Sequence, residues 1–367
     1  MSRSSVRMGV AEGLALVGIS TFAGAFLSIW SIMQDRANSA AWMIPPITFA
    51  VSLAALYMLL YVLRRTGGDL YDAARKLLGP AAARLIAFIY AALFFLDAGL
   101  MLREFAENTL LTALPHIDFE VIIGWYAVVV VFMLYFGIEA VARTGYIILP
   151  FSIFGISVIL LLLWPEYQFL YLAPWNGSGL DKVLITGIKS TGFNLGMMLP
   201  VILATSFQNA STIRGATIYG LGLAEFYRTI TVVAYTATFG TAVAREKVLP
   251  FFELARLVYI NRFIQRIEAL FILVWVIVGM LAIAIDVYAG LYLLGRIFNL
   301  PDLRPLIGPA VIVILEMAML PPDVVTVIAF HGIAINSYYF TGAAIFPAVL
   351  FLIALVKARR REEWHAA

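Results

Sequence analysis

Apolar residues run along this chain in long stretches, separated by short polar flanks that carry most of the Lys and Arg. A helix needs about 20 apolar residues to cross the hydrocarbon of a bilayer, and the stretches are that long. The short alternating segments of a transmembrane barrel are missing. Ten helical spans are predicted, at about 8–33, 41–63, 84–111, 121–139, 146–164, 183–207, 220–243, 267–294 and 306–320, with a tenth ending at Val356. The polar loop "PEYQFLYLAPWNGSGLDK" divides them into five plus five. The expected organisation is one polytopic membrane domain, 1–356, built of repeats 1–165 and 183–356, with a basic tail at 357–367.

Two of these spans look broken. The first is interrupted by "GISTFAG" at 18–24 and the sixth by "STGFNLGMMLP" at 190–200. Breaks at matching places in two halves point to an inverted-repeat transporter. Unwinding a helix in mid-membrane frees N–H and C=O groups that lipid cannot satisfy, so protein, water or a ligand must. Half-helix N-termini attract a carboxylate and half-helix C-termini a cation, and an amino acid zwitterion offers both. Gly18, Ser20, Thr21 and Gly24 in the first break, and Gly192, Asn194 and Gly196 in the second, are therefore candidate ligand contacts. Small residues also serve ordinary helix packing, which is the competing explanation at each position. Gly155 in the fifth span is taken as such a packing position.

Composition agrees with a membrane protein. Of 367 residues, 63% are hydrophobic and 13% charged, with mean hydropathy +0.95. The absence of cysteine excludes disulfides, thiolate metal sites and a cysteine nucleophile. Three scattered histidines do not make a metal centre, and neither a phosphate loop nor a nucleophile motif is present, so no enzyme activity, cofactor or metal is expected. The net charge of +3 sits in short flanks, which reads as topology and not as nucleic-acid binding. "LRRTGGDLYDAARKLLGPAAAR", "KARRR", Arg3, Arg7, Arg143, Arg214, Arg296 and Arg304 fall on one side of a ten-span chain, so both termini are expected to be cytoplasmic. The N-terminus is read as a retained first helix, since Glu12 interrupts what would be a signal peptide's apolar region. "AREKVLPFFELARLVYINRFIQR" falls on the opposite side despite its basic residues; Phe251, Leu254, Leu257 and Val258 recur at helical spacing, which predicts a short surface helix.

Charges inside spans are candidate functional groups. In "FFLDAGLMLREFAENTLL", Asp97, Glu104 and Asn108 share a face, while Arg103 and Glu107 stand four apart and can pair. Asp97 has no partner in its own helix; proton or substrate contact and a structural carboxylic acid both remain open. Glu225 and Arg228 are expected to pair and snorkel near the cytoplasmic end of span seven. Glu268, Asp286 and Glu316 are expected to be structural. Lys189 is within reach of the outer interface, Glu104 or Glu107. His331 is expected to stand alone as a satisfied structural histidine.

"LREFAENTLLTALP" at 102–115, "GFNLGMMLP" at 192–200 and "LPFFELARLVYINRFIQRIEALFILVW" at 249–275 resemble the spore-germination permease family, the B-type subunits of germinant receptors. These belong to the amino acid–polyamine–organocation superfamily. The resemblance covers nearly the whole chain. It implies an all-α integral membrane fold of ten transmembrane helices, a LeuT-like inverted repeat with helices 1 and 6 broken. It also implies a nutrient, often an amino acid, as ligand, and A-type and lipoprotein C-type subunits as partners in the spore inner membrane or cell membrane. Arg266 and Glu268 fall on the family's Arg/Glu–aromatic–Trp pattern leading to Trp275. Asn194 stands where many relatives have a glutamate, which removes a charge from that position. The alternative function is a proton- or sodium-coupled amino acid transporter; genes for A- and C-type subunits beside this one would separate the two.

Overall fold

A computed structural model describes residues 7–24, 27, 29–259 and 268–366. The first predicted span is two pieces, α1 (Val10–Ala23) and α2 (Ile29–Ala37), linked by a 3-10 turn to α3 (Ile44–Thr66). A short helix α4 (Leu70–Leu78) precedes α5 (Pro80–Thr112), α6 (Phe119–Phe136) and α7 (Ile138–Leu162). The second broken span is α8 (Leu180–Lys189), a 3-10 segment (Ser190–Met198) and a single turn, α9 (Leu199–Ile202). Then come α10 (Ala210–Ala244), α11 (Pro250–Leu257), α12 (Glu268–Phe298), α13 (Arg304–Met319), α14 (Val324–Ala334) and α15 (Phe346–Ala366). Two π-helical turns, Ile335–Tyr339 and Thr341–Ile345, join α14 to α15.

Local chemistry sets several of these boundaries. Gly79 and Gly137 take φ of +91° and +83°, which a side chain rarely tolerates, and each turns the chain sharply from one helix into the next. Pro80 then occupies the first turn of α5, where a missing N–H costs nothing. Asp69 starts α4 by accepting the Asp72 N–H at 3.0 Å. The sequence did not signal α4 as a helix of its own. It buries Leu70, Tyr71, Ala73, Ala74 and Leu77, and Lys357 of α15 closes its end by donating to the Leu77 carbonyl at 2.6 Å.

α12 runs through the middle, packed on α5, α6, α7 and α1, while α1 also packs on α10. The outer faces are apolar: Phe132, Phe151, Phe154 and Leu161 are 62–71% exposed, as suits contact with lipid and not water. Among the described residues six helices are long and apolar enough to cross a membrane. Ten crossings were expected; α1, α8 and α9 are short pieces and α13 has 16 residues, while α10 is long enough but is not among the six, and α2 is counted together with α3. The predicted surface helix is α11, which buries Phe251 and Leu254, with Val258 buried beyond it and Leu257 exposed. The segment 357–366 is not a separate tail but the continuation of α15. Arg3 and Arg266 lie outside the described residues, as does the side chain of Glu268 at the start of α12.

Candidate functional site between the two broken helices

The second break falls where the sequence placed it. Asn194 leaves helical geometry at φ −101°, ψ 27° within the 3-10 segment, and α9 starts at Leu199. The first break comes later than expected: 18–23 stay helical and α1 ends at Ala23, with Gly24 as its cap. Gly18 is a packing residue, because a Cβ there would stand 3.0 Å from Leu149 of α7. Gly192 also serves packing, since its Cβ would fall 2.0 Å from the backbone oxygen of Ile335. Gly196 meets the end of the first helix. A Cβ there would lie 2.5 Å from Ser20 Oγ and 3.5 Å from Thr21 Oγ1, so the last turn of α1 touches the second break at Gly196. Gly155 is no packing position, for nothing lies within 4 Å of where its Cβ would be.

A helix end leaves its last carbonyls without intrahelical partners. At α1 one of them is met by a charge: Arg228 of α10 donates from Nη2 to the Thr21 oxygen at 2.9 Å. Its Nη1 lies 3.0 Å from Glu225 Oε1. That carboxylate oxygen also accepts from Thr48 Oγ1 of α3 and from Asn194 Nδ2, each at 2.6 Å. Asn194 donates to Ser52 Oγ at 2.9 Å and accepts from Arg228 at 3.4 Å. Arg228 and Glu225 are 1% and 3% exposed, which rules out the snorkelling pair expected from the sequence. Instead this network ties α3, α10 and the second break to the end of α1.

The residue preceding Thr21 meets acid. Ser20 Oγ donates to Asp286 Oδ1 of α12 at 3.4 Å, and Asp286 faces Asp97 of α5. His331 is not alone: its Nε2 lies 3.2 Å from Asp97 Oδ1 and its Nδ1 2.5 Å from Glu104 Oε1. Asp97 and Glu104 thus share a face, as their spacing required. Arg103 keeps to Glu107 at 2.8 Å and lies 4.4 Å from the Phe119 ring, apart from this cluster. Lys189 is exposed and pairs with neither Glu104 nor Glu107.

Asp286, His331, Glu225, Arg228, Thr48 and Ser52 were not singled out as site residues. The signal was their position as polar groups inside apolar spans, which is expensive unless used or paired. Several buried atoms here have no hydrogen-bond partner among the described residues: Thr21 Oγ1, Glu225 Oε2, Arg228 Nε and Asp286 Oδ2. No group of His, Asp and Glu among the described residues is placed to hold a metal ion.

Residues 8–324 match the family model described as "Spore germination protein". The spore germination protein KB of Bacillus subtilis (strain 168) is 20% identical over 296 residues, covering 78% of this chain and 79% of the relative. Among solved structures, a Na+-coupled sialic acid symporter in a substrate-bound outward-open state superposes with TM-score 0.62 at 15% identity, covering 95% of this chain and 79% of its own. A manganese transporter of Eremococcus coleocola gives TM-score 0.60 at 14% identity, with 97% and 81% covered. At such identities the likeness carries the fold, which is that of LeuT-like transporters.

Proposed function

Because the chain belongs to the spore germination protein family of permeases, we propose that it is the permease-like subunit of a germinant receptor and binds a small amino acid between its two broken helices. It acts there with A-type and lipoprotein C-type subunits in a spore or cell membrane, with both termini on the cytoplasmic side. The observation behind this is the placing of two consecutive residues. Ser20 meets the acid side, Asp286 beside Asp97, and Thr21 meets the Arg228–Glu225 pair. A zwitterion at Gly196 has an acidic side for its ammonium and a guanidinium side for its carboxylate. The free polar atoms Thr21 Oγ1, Arg228 Nε and Asp286 Oδ2 are the bonding capacity it would use.

A coupled transporter is the second reading, and the LeuT-like fold favours it as much as it favours a receptor. One observation weighs against sodium at the Thr21 carbonyl. In transporters of this kind the carbonyls of an unwound helix hold the coupling cation. In this chain the Thr21 carbonyl is already taken by Arg228.

The test is thermal unfolding of the purified chain with a panel of the standard amino acids, in sodium and in choline chloride. Binding at 100 times the dissociation constant adds about 2.7 kcal/mol to stability. At least one amino acid is expected to raise the unfolding temperature, equally in both salts. No response to any amino acid refutes the amino-acid reading, and a response only in sodium refutes the role given to Arg228. Uptake of the responding amino acid into proteoliposomes then separates transporter from receptor.

A further inference from the structure

Asp97 and Glu104 of α5, Asp286 of α12, His331 of α14 and Tyr339 of the first π turn converge beside Ser20 of α1. Glu104 is 2%, Asp286 0%, His331 6% and Tyr339 1% exposed, and the Asp97 side chain is partly open at 16%. Among the described residues no lysine or arginine pairs with any of the three carboxylates. Arg103, nearby on α5, is engaged by Glu107 and the Ala318 carbonyl. Arg228 pairs with Glu225, not with any of the three.

Counting protons on this geometry is decisive. Each ring nitrogen of His331 faces a carboxylate oxygen, at 2.5 and 3.2 Å. A neutral imidazole has one N–H and satisfies only one of them. One extra proton must therefore sit on the ring or on a facing carboxyl. A second is favoured where Asp286 faces Asp97, because two ionised carboxylates side by side repel. The Tyr339 hydroxyl and Asp286 both lie against Asp97, and the Tyr339 ring stands edge-on to His331 at 6.1 Å. The ligand chemistry is that of a proton. These side chains are not arranged as metal ligands.

We propose that Asp97, Glu104, Asp286 and His331 form a proton-binding site whose occupancy is linked, through Ser20, to the break in the first helix. With the proton present, Asp286 accepts from Ser20 and the end of α1 is held against α12. With it lost, the repulsion between Asp97 and Asp286 acts on α5, α12 and, through Ser20, on the break. The same groups join α14 and its π turns, which pack on the second break, to the first. This site shares Ser20, Asp97 and Asp286 with the ligand position proposed above, and its proton is tested with no nutrient present.

The experiment is infrared pH-difference spectroscopy on the purified full-length chain in nanodiscs, following the protonated-carboxyl band. Wild type should keep such a band at neutral pH. Asp286→Asn and Asp97→Asn, which match the shape of the protonated acid, should each remove part of it, and Glu107→Gln should not. Ser20→Ala should displace the pH midpoint of the same component. A band insensitive to both aspartate substitutions, or absent from wild type at neutral pH, overturns the proton site. A midpoint unmoved by Ser20→Ala overturns its link to the break.

Discussion

Arg228 Nη2 donates to the Thr21 carbonyl at 2.9 Å, so a cation fixed to α10 meets the unpaired end of α1. The partial negative charge of a helix C-terminus favours a cation there. The guanidinium in turn needs Glu225, because a single charge buried to this degree is very costly.

Removing one partner should therefore cost more than removing both. Arg228→Met leaves Glu225 buried and unpaired, and is expected to lower stability by about 3–5 kcal/mol. Arg228→Met combined with Glu225→Gln should recover most of that loss, because no uncompensated charge remains. Thermal unfolding of the two single variants and the double variant measures the coupling. If the losses simply add, the pair is not the coupled unit described here.

Asp69 gives a pH dependence outside the membrane spans. Burial holds its carboxyl above the usual carboxylate range, against the lowering effects of the Asp72 N–H and of Arg296, 3.1 Å away. The folded chain keeps this proton at a pH where the unfolded chain has lost it. The linked stability is present below the unfolded value and is lost as pH rises through the folded one. Asp69→Asn should flatten that decline while keeping the cap on α4. Equal slopes of unfolding temperature against pH in wild type and variant would contradict this.

Topology is open to direct labelling, because the chain has no native cysteine. Arg75 on α4 and Asn176 in the loop before α8 are both exposed. In intact cells Asn176→Cys should react with an impermeant thiol reagent and Arg75→Cys should not, since the basic flanks belong inside. The reverse pattern would invert the orientation.

Much of this molecule could be read from its residues, though unevenly. The second break was legible because glycines, an amide and a proline within nine residues cannot sustain a plain helix, and Ser190–Met198 is 3-10. In the first break the same glycine signal misled. Gly18 is small so that α1 can lie against Leu149, and helix ends only at Gly24. Spacing placed Asp97 and Glu104 on one face and paired Arg103 with Glu107, because those are properties of a single helix. It was blind to partners on other helices. His331 therefore looked solitary, and Glu225 with Arg228 looked like an interfacial pair, although tertiary packing puts both at the centre.

The site itself is tested most directly at Thr21, whose hydroxyl is buried beside Gly196 and has no partner among the described residues. Thr21→Val removes that hydroxyl without breaking a bond within the protein, so the unliganded chain should be as stable as wild type or more so. The measurement is the unfolding temperature of wild type, Thr21→Val, Gly196→Ala and Gly155→Ala, with and without the amino acid that stabilises wild type. Gly155→Ala should respond like wild type, while Thr21→Val should bind about tenfold more weakly, the equivalent of one hydrogen bond. Gly196→Ala should lose the response, because its Cβ would stand 2.5 Å from Ser20 Oγ and push α1 away from the second break. Wild-type responses in both Thr21→Val and Gly196→Ala would mean that the ligand binds elsewhere.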